Sequence, residues 1–271
     1  MQDAVKEEKT IDWLFMDSSE VDITLQYNLQ QVFNSKSIDV CINCAAYTNV
    51  EKAESDTETA YLINSEAVKN IAEICRRNEA VLYHFSTDYV FKGTAQMPYT
   101  EEDKTQPLNV YGDSKLKGEE HIKKILDSFF IFRTSWLYSQ YGHNFYNTIL
   151  KKVKEGAQLN ITTSQTSSPT NANHLAQFVV NLIIENNSRY GLYHYSNAGE
   201  TTWYGFAREI LRASGNLDEV SLIEDNSYKT IATRPAYSVL DKTKLKNTFN
   251  YPVASWQMAL EELYQSEVNK N

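Results

Sequence analysis

Two rhythms of apolar and polar positions alternate along the first half of the chain. Ile11 to Met16 and the run Ile38 to Ala46 are short and nearly continuous in apolar residues, the signature of strands buried on both faces. Between them Leu25, Leu29, Val32 and Phe33 recur at helical spacing, after an opening decapeptide that is polar and helix-compatible. Tyr61 to Arg77 carries Leu62, Ala67, Val68, Ile71, Ala72, Ile74 and Cys75 on one side and predicts a helix; Ala80 to Phe85 predicts the next strand. A helix from Val110 to about Leu126 and a strand over Phe129–Phe132 repeat the pattern. Strands separated by helices require right-handed crossovers, so the pattern predicts an α/β fold with a doubly wound, mostly parallel sheet. Ligands of such sheets bind beyond the carboxyl ends of the strands. Those ends are Ala45-Ala46-Tyr47-Thr48, Ser86-Thr87-Asp88 and Thr134-Ser135-Trp136.

After Lys154 the rhythm changes. Short strands at Gln158 to Thr162 and Gly191 to Tyr195 alternate with helices near Asn171 to Ile184, Thr202 to Ala213 and Ser255 to Tyr264. The segment Thr163 to Thr170 is rich in Ser and Thr and contains Pro169, as a loop does. The expected division is a sheet domain over 1–154 and a smaller substrate lobe over 155–271.

Composition narrows the classes. An apolar fraction of 42% and a charged fraction of 23% are ordinary for a globular chain. A net charge of −9 argues against nucleic acid or an anionic membrane as partner, because both select basic surfaces. The sequence offers no long apolar run for a membrane span and no apolar signal core at its start, so a cytoplasmic location is expected. Cys41 and Cys44 form a C-x-x-C, but within a strand-like run, and with Cys75 they read as small core residues. The five histidines lack metal-ligand spacing, and no structural metal is expected.

The candidate chemistry lies between Ser86 and Lys115. Thr87 ends a buried strand, and Tyr111 and Lys115 stand four residues apart at a helix start, just over one turn, so both side chains leave one face. A free tyrosine titrates near pH 10, and a neighbouring cation favours the phenolate, so Lys115 is expected to tune Tyr111 as a general acid or base. Thr87 can hydrogen-bond the same substrate oxygen. With 18 tyrosines in the chain, Tyr-x-x-x-Lys by itself is a weak signal, and an amphipathic helix with a surface lysine reads equally well.

The motifs are specific in combination. Ile42-Asn43-Cys44-Ala45-Ala46-Tyr47-Thr48-Asn49-Val50-Glu51-Lys52-Ala53-Glu54, Ser86-Thr87-Asp88-Tyr89-Val90-Phe91, Pro107-Leu108-Asn109-Val110-Tyr111-Gly112 with Lys115, Phe132-Arg133-Thr134-Ser135-Trp136 and Arg234-Pro235 resemble the dTDP-4-dehydrorhamnose reductases of the extended short-chain dehydrogenase/reductase family. The resemblance runs from about Val21 onward. It implies a Rossmann-like domain that binds NADPH, with NADH as the alternative, and reduction of the C4 ketone of a dTDP-linked 6-deoxysugar. By the same resemblance Tyr111 protonates the C4 oxygen, Lys115 binds the nicotinamide ribose and Thr87 orients the carbonyl. Asp22 and Ile23 border the adenine; Ala45, Ala46 and Tyr47 line the cofactor groove; Thr48, Val50, Tyr89 and Trp136 hold the sugar. Arg234 is a candidate for the pyrophosphate of the sugar nucleotide, since arginine pairs bidentately with phosphate; a surface salt bridge is its plainer role. Asn64 either contacts the cofactor or caps local backbone. The family includes dimers and Mg²⁺-dependent members, so a homodimer and a Mg²⁺ requirement enter as expectations of the resemblance alone.

Departures matter too. Such a sheet grips its dinucleotide with a glycine-rich turn after the first strand, because only backbone without Cβ approaches a pyrophosphate closely. The earliest glycine here is Gly93, and the expectation is a chain lacking its true beginning, through a late start or a shortened form. Ser164-Gln165-Thr166-Ser167-Ser168-Pro169-Thr170 lacks the acid and glycine that the family carries in this loop. Two competing readings stand beside the reductase. One is a non-catalytic regulatory relative similar to the β subunit of methionine adenosyltransferase; the other is a reductase of a different 4-keto nucleotide sugar.

Overall fold

The computed structural model describes residues 1–227 and 229–269. Its main sheet has four parallel strands, β1 (Val40–Asn43), β2 (Val81–Thr87), β3 (Phe129–Thr134) and β4 (Gly191–His194), in the order β1-β2-β3-β4. The register sets Asn43 beside His84, Thr87 beside Thr134 and Arg133 beside His194, so all carboxyl ends share one edge.

Strand alternation sorts the side chains into two layers. On one face Leu82, Ile131 and Leu192 pack against helices α1 (Gln26–Ser35), α2 (Ala67–Arg77) and α3 (Val110–Ile125) through Leu29, Ile71, Cys75 and Ile122. On the other, Tyr83, Phe130, Phe132 and Tyr193 meet Leu175, Phe178 and Val179 of the helix Ala172–Ile184. This is the doubly wound α/β arrangement expected from the strand and helix rhythm.

The second lobe is built around Tyr138, Tyr146, Phe206, Ile210, Trp256 and Leu260, held by the helices Phe145–Lys154, Trp203–Ala213 and Trp256–Val268. Small strand pairs edge it: Leu159–Ile161 with Leu222–Glu224, Thr166–Ser167 with Thr201–Thr202, and Leu137–Tyr138 with Thr170–Asn171. Asn109, Asn144, Asn171, Thr202 and Ser255 each accept a backbone N–H at the start of a helix, which fixes where five of the helices begin. The chain does not stay in this lobe after residue 154. The helix Ala172–Ile184 and strand β4 return to the main sheet, so the space each lobe occupies differs from a single cut in the chain.

Three local expectations change. Ile11–Met16 is not a strand: no described strand pairs with it, Leu14, Phe15 and Met16 are exposed, and a strand without a backbone partner has nothing to satisfy its ladder. The helix expected from Tyr61 begins as a short helix, Thr57–Tyr61, passes through a π-helical turn at Leu62–Glu66, and becomes regular only from Ala67. Cys75 lies in the core and Cys41 is half-buried, whereas Cys44, one residue past β1, is exposed. No described helix is long and apolar enough to cross a membrane.

Candidate active site

Strand β2 delivers Thr87 to the carboxyl edge, where the chain turns through a single 3-10 turn, Asp88–Val90. The Thr87 hydroxyl accepts the Tyr89 N–H at 3.1 Å and donates to Asp88 Oδ1 at 3.1 Å. Helix α3 begins directly beside this turn. Asn109 caps it by accepting the Gly112 N–H at 2.8 Å, and Gly112 has no alternative: a Cβ there would sit 2.3 Å from the Tyr89 carbonyl oxygen. The close approach brings the Tyr111 ring edge-on to Tyr89, with centroids 5.9 Å apart.

Burial pushes the Tyr111 phenol up to about 12; a hydrogen bond with Thr87 pulls it back, and the Asp88 charge pushes it further up. The expectation that Lys115 holds this phenol down is therefore corrected. Lys115 is buried, 3% exposed, and its ammonium donates to the Phe85 carbonyl at 2.6 Å. Burial pushes that ammonium down to about 8, and Glu119 one turn further on opposes the shift. A phenol held protonated at neutral pH is the form that a proton donor needs.

Beneath these groups lies a buried charge pair that was not anticipated. Arg133 of β3 donates to both carboxylate oxygens of Glu119, at 2.9 and 2.7 Å, and the Ser86 hydroxyl donates to Oε1 at 2.6 Å. Glu119 follows Tyr111 and Lys115 at the same four-residue spacing, so the stripe was visible in the sequence; what was not visible is that its last member faces an arginine. The pair binds β2, β3 and α3 together one residue before Thr87.

The cofactor-side candidates fall into two places. Ala45, Ala46 and Tyr47 follow β1 at the carboxyl edge. Ala45 N–H is held by Asn43 Oδ1 at 3.0 Å, and Asn64 grips Tyr47 from both sides, accepting its N–H at 2.9 Å and donating to its carbonyl at 3.0 Å. Asn64, left open by sequence, is thus a fully buried backbone clamp within the π-helical turn, and its amide also donates to Ser114 of α3. Asp22 and Ile23 lie apart, in the loop before α1: Asp22 accepts the N–H and hydroxyl of Thr24, which holds its carboxyl below the usual range, and Ile23 packs on the sheet core.

Of the candidates for the substrate side, Thr48 is exposed and Val50 half-buried at the start of the helical turn Val50–Ala53. Tyr89 is buried, edge-on to Tyr111; burial and the Asp88 charge raise its phenol, and the Arg234 charge opposes them. Arg234 bonds Glu51 at 2.7 Å, and Glu51 also accepts the Ile231 and Ala232 N–H groups. Burial pushes the Glu51 carboxyl up, but Arg234 and these amides outweigh it and hold it below its ordinary value. The plainer alternative for Arg234, an ion pair, is what is seen here. Trp136 joins the second lobe, stacked on Trp203 with centroids 3.6 Å apart, and adopts a left-handed φ of 43° that a bulky residue takes only where its surroundings enforce it.

The structure thus brings together Thr87, Tyr111, Lys115 and Tyr89, with the Arg234 charge felt at Tyr89, and adds Asp88, Asn64, Glu51 and Glu119. A hydroxyl, a phenol and an ammonium at the carboxyl edge of a doubly wound parallel sheet define the class, an oxidoreductase fold of the short-chain dehydrogenase/reductase type.

Comparison with known proteins carries this to the family. The RmlD substrate binding domain matches residues 2–269. The chain is 35% identical to the dTDP-4-dehydrorhamnose reductase of Aggregatibacter actinomycetemcomitans, with 92% of this chain and 88% of the relative covered, and 38% identical to that of Escherichia coli (strain K12), with 83% and 78% covered. Among solved structures it is similar to a dTDP-4-dehydrorhamnose reductase ortholog of Clostridium acetobutylicum (TM-score 0.92, 34% identity, 100% of this chain and 94% of that one). It is also similar to the Bacillus anthracis dTDP-4-dehydrorhamnose reductase in complex with NADP (TM-score 0.91, 33% identity, 97% and 94%). The chain belongs to the dTDP-4-dehydrorhamnose reductase family.

Proposed function

We propose that this chain reduces the C4 ketone of dTDP-4-dehydro-L-rhamnose to the alcohol of dTDP-L-rhamnose with NADPH as hydride donor. The observation that carries the reading is the Thr87–Tyr111 pair beside a buried Lys115, in a chain 35% identical to such a reductase over most of its length. When bound, the nicotinamide supplies the hydride. Tyr111 gives its proton to the C4 oxygen as negative charge develops there, and Thr87 hydrogen-bonds the same oxygen and fixes its direction. Lys115 reaches the ribose hydroxyls of the cofactor. The small side chains of Ala45 and Ala46, on backbone held by Asn43 at Ala45 and by Asn64 at Tyr47, leave room for a flat ring at the sheet edge, so the residues present fit the nicotinamide half of the cofactor. Tyr89, Trp136, Thr48 and Val50 border the sugar, and Arg234 takes the pyrophosphate by exchanging Glu51 for phosphate.

The lobe formed by 1–154, with the strand and helix that return to it, serves the cofactor; the remainder of 155–271 serves the sugar nucleotide. A cytoplasmic setting and a homodimer belong to the same reading. A Mg²⁺ requirement would show as loss of turnover on chelation and recovery on adding the ion back. The test is NADPH consumption on adding dTDP-4-dehydrorhamnose, alongside NADPH binding by fluorescence titration. Consumption that depends on the sugar, and falls in Tyr111→Phe, is expected; NADPH binding without sugar-dependent consumption would overturn the reading in favour of a non-catalytic relative.

A further inference from the structure

Asp88 is a buried acid beside Thr87 with no role of its own in the reduction. It is 2% exposed and lies between the catalytic strand end and the substrate lobe. From its own chain, Thr87 Oγ1 donates to Oδ1 at 3.1 Å; from the far side, Ser238 and Ser167 direct their hydroxyls at Oδ2, the latter at 3.4 Å. Ser167 shares its one proton between Oδ2 and the Ser238 carbonyl, 3.3 Å away, so Ser238 is the firmer partner of the carboxylate. The titratable groups that feel Asp88 are Tyr89 on its own turn and Tyr111 from α3; the groups of the substrate lobe that face it are neutral hydroxyls. Burial pushes the carboxyl up to about 6, against hydrogen bonds from Ser238, Thr87, its own backbone amide and Ser167.

Thr87 has a single proton and two lone pairs. One lone pair receives the Tyr89 N–H, and the proton goes to Asp88. In the ligand-free chain that proton is therefore withheld from Tyr111, whose phenolate a hydrogen bond from Thr87 would stabilise. Asp88 and Tyr111 thus compete for one Thr87 proton. When the ketone is bound and Tyr111 gives up its proton, the Thr87 proton can swing from Asp88 toward the charge developing on the substrate oxygen and the new phenolate without breaking a covalent bond, and Ser238 keeps the carboxylate solvated while it does.

We propose that Asp88 is a positioning residue that sets the direction of the Thr87 hydroxyl and, through it, the hydrogen bonding of Tyr111, with Ser167 and Ser238 holding it in place from the substrate lobe. The inference rests on the reductase reading. An uncharged side chain of the same shape would avoid burying a charge, so a purely space-filling role does not require an acid here.

The experiment is a cycle of Asp88→Asn, Thr87→Val and the double variant in the full chain. It is read by kcat and KM with dTDP-4-dehydrorhamnose and, without any ligand, by NMR titration of ¹³C-labelled tyrosine, with Tyr111→Phe assigning the signal. Asp88→Asn is expected to lower kcat by about tenfold, the order set by one charge-assisted hydrogen bond, with KM within about twofold. It should also lower the Tyr111 midpoint, and both effects should be smaller in the Thr87→Val background. Equal effects with and without the Thr87 hydroxyl, or none in either, would overturn the inference while leaving the reductase reading intact. If the unmodified chain consumes no NADPH with the sugar, the reductase reading fails and the Tyr111 titration cycle alone decides on Asp88. Should Asp88→Asn fail to fold, Ser238→Ala substitutes: a fall in kcat at constant KM supports the role, and an unchanged kcat refutes it.

Discussion

Glu119→Gln tests the buried pair that underlies the site. In the native chain the carboxylate is fully buried and takes two hydrogen bonds from an Arg133 guanidinium that is itself 2% exposed, plus one from Ser86. Glutamine keeps the shape but presents an NH₂ group to one arginine nitrogen and leaves the guanidinium charge without its anion. The remaining partners of Arg133 are the face of Phe91, 5.1 Å away, and His194, whose imidazole burial keeps neutral. Breaking a buried pair by removing one partner costs about 3–5 kcal/mol. For a chain of 271 residues an unfolding entropy of about 2.1 cal/mol/K per residue makes 1 kcal/mol worth about 2 °C, so Tm should fall by about 5–10 °C at neutral pH. The pH dependence has a definite sign. Burial pushes the Glu119 carboxyl up, but Arg133 outweighs it and holds the group below its ordinary 4.5. Its contribution is thus present above that value and lost as pH falls through the lower, folded one. Thermal unfolding of both proteins, followed by tryptophan fluorescence from neutral to acid pH, should show a gap that closes below about pH 4. A drop under about 2 °C at neutral pH, or a gap constant into acid, would refute the reasoning. Lys123, the half-exposed third partner at 3.3 Å, should matter little: Lys123→Ala is expected to stay within about 1 kcal/mol.

Other outcomes can be checked with the same preparations. Tyr111→Phe should cut turnover by about 10²–10⁴-fold with NADPH affinity nearly unchanged, whereas Lys115→Ala should impair both; steady-state rates and fluorescence titration separate them. Gly112→Ala should destabilise the chain and reduce turnover, because its Cβ meets the Tyr89 carbonyl at 2.3 Å and forces α3 off the turn that aligns Tyr111; normal stability and rate in this variant would show the contact to be soft. Arg234→Ala should raise KM for the dTDP-sugar far more than for NADPH, and Glu51→Gln, which frees Arg234 from its partner, should not; equal effects on both substrates count against the pyrophosphate role.

The sequence was most readable where periodicity and punctuation agree. Strands β2 and β3 and helix α3 fall within a residue or two of their expected bounds, because a continuous apolar run or an Asn cap leaves little freedom. Ile11–Met16 misled because apolar composition says nothing about whether a neighbouring backbone is there to pair with. The site was legible as residue types at a helix start and a strand end. Its electrostatics were not: the Tyr111 phenol is governed by burial and by Asp88, and neither depends on local spacing. Glu51, Glu119 and Asp88 look in sequence like ordinary surface acids, and only the fold shows that the first faces Arg234, the second Arg133 and the third two serines more than 75 positions away.

Asn109 performs two tasks with one amide. Its oxygen caps α3 through the Gly112 N–H, and its nitrogen donates to the Thr233 carbonyl at 2.8 Å, next to Arg234. The turn that carries Tyr111 and the arm that carries Arg234 therefore share a fulcrum, and a displacement of the arm is felt at the foot of the helix. Exchanging that NH₂ for an oxygen would keep the cap and release the tether, since aspartate caps helices as well as asparagine but cannot donate. In Asn109→Asp the helix should melt as before while the arm keeps only its Glu51 ties, a separation of scaffold from reach at a single atom.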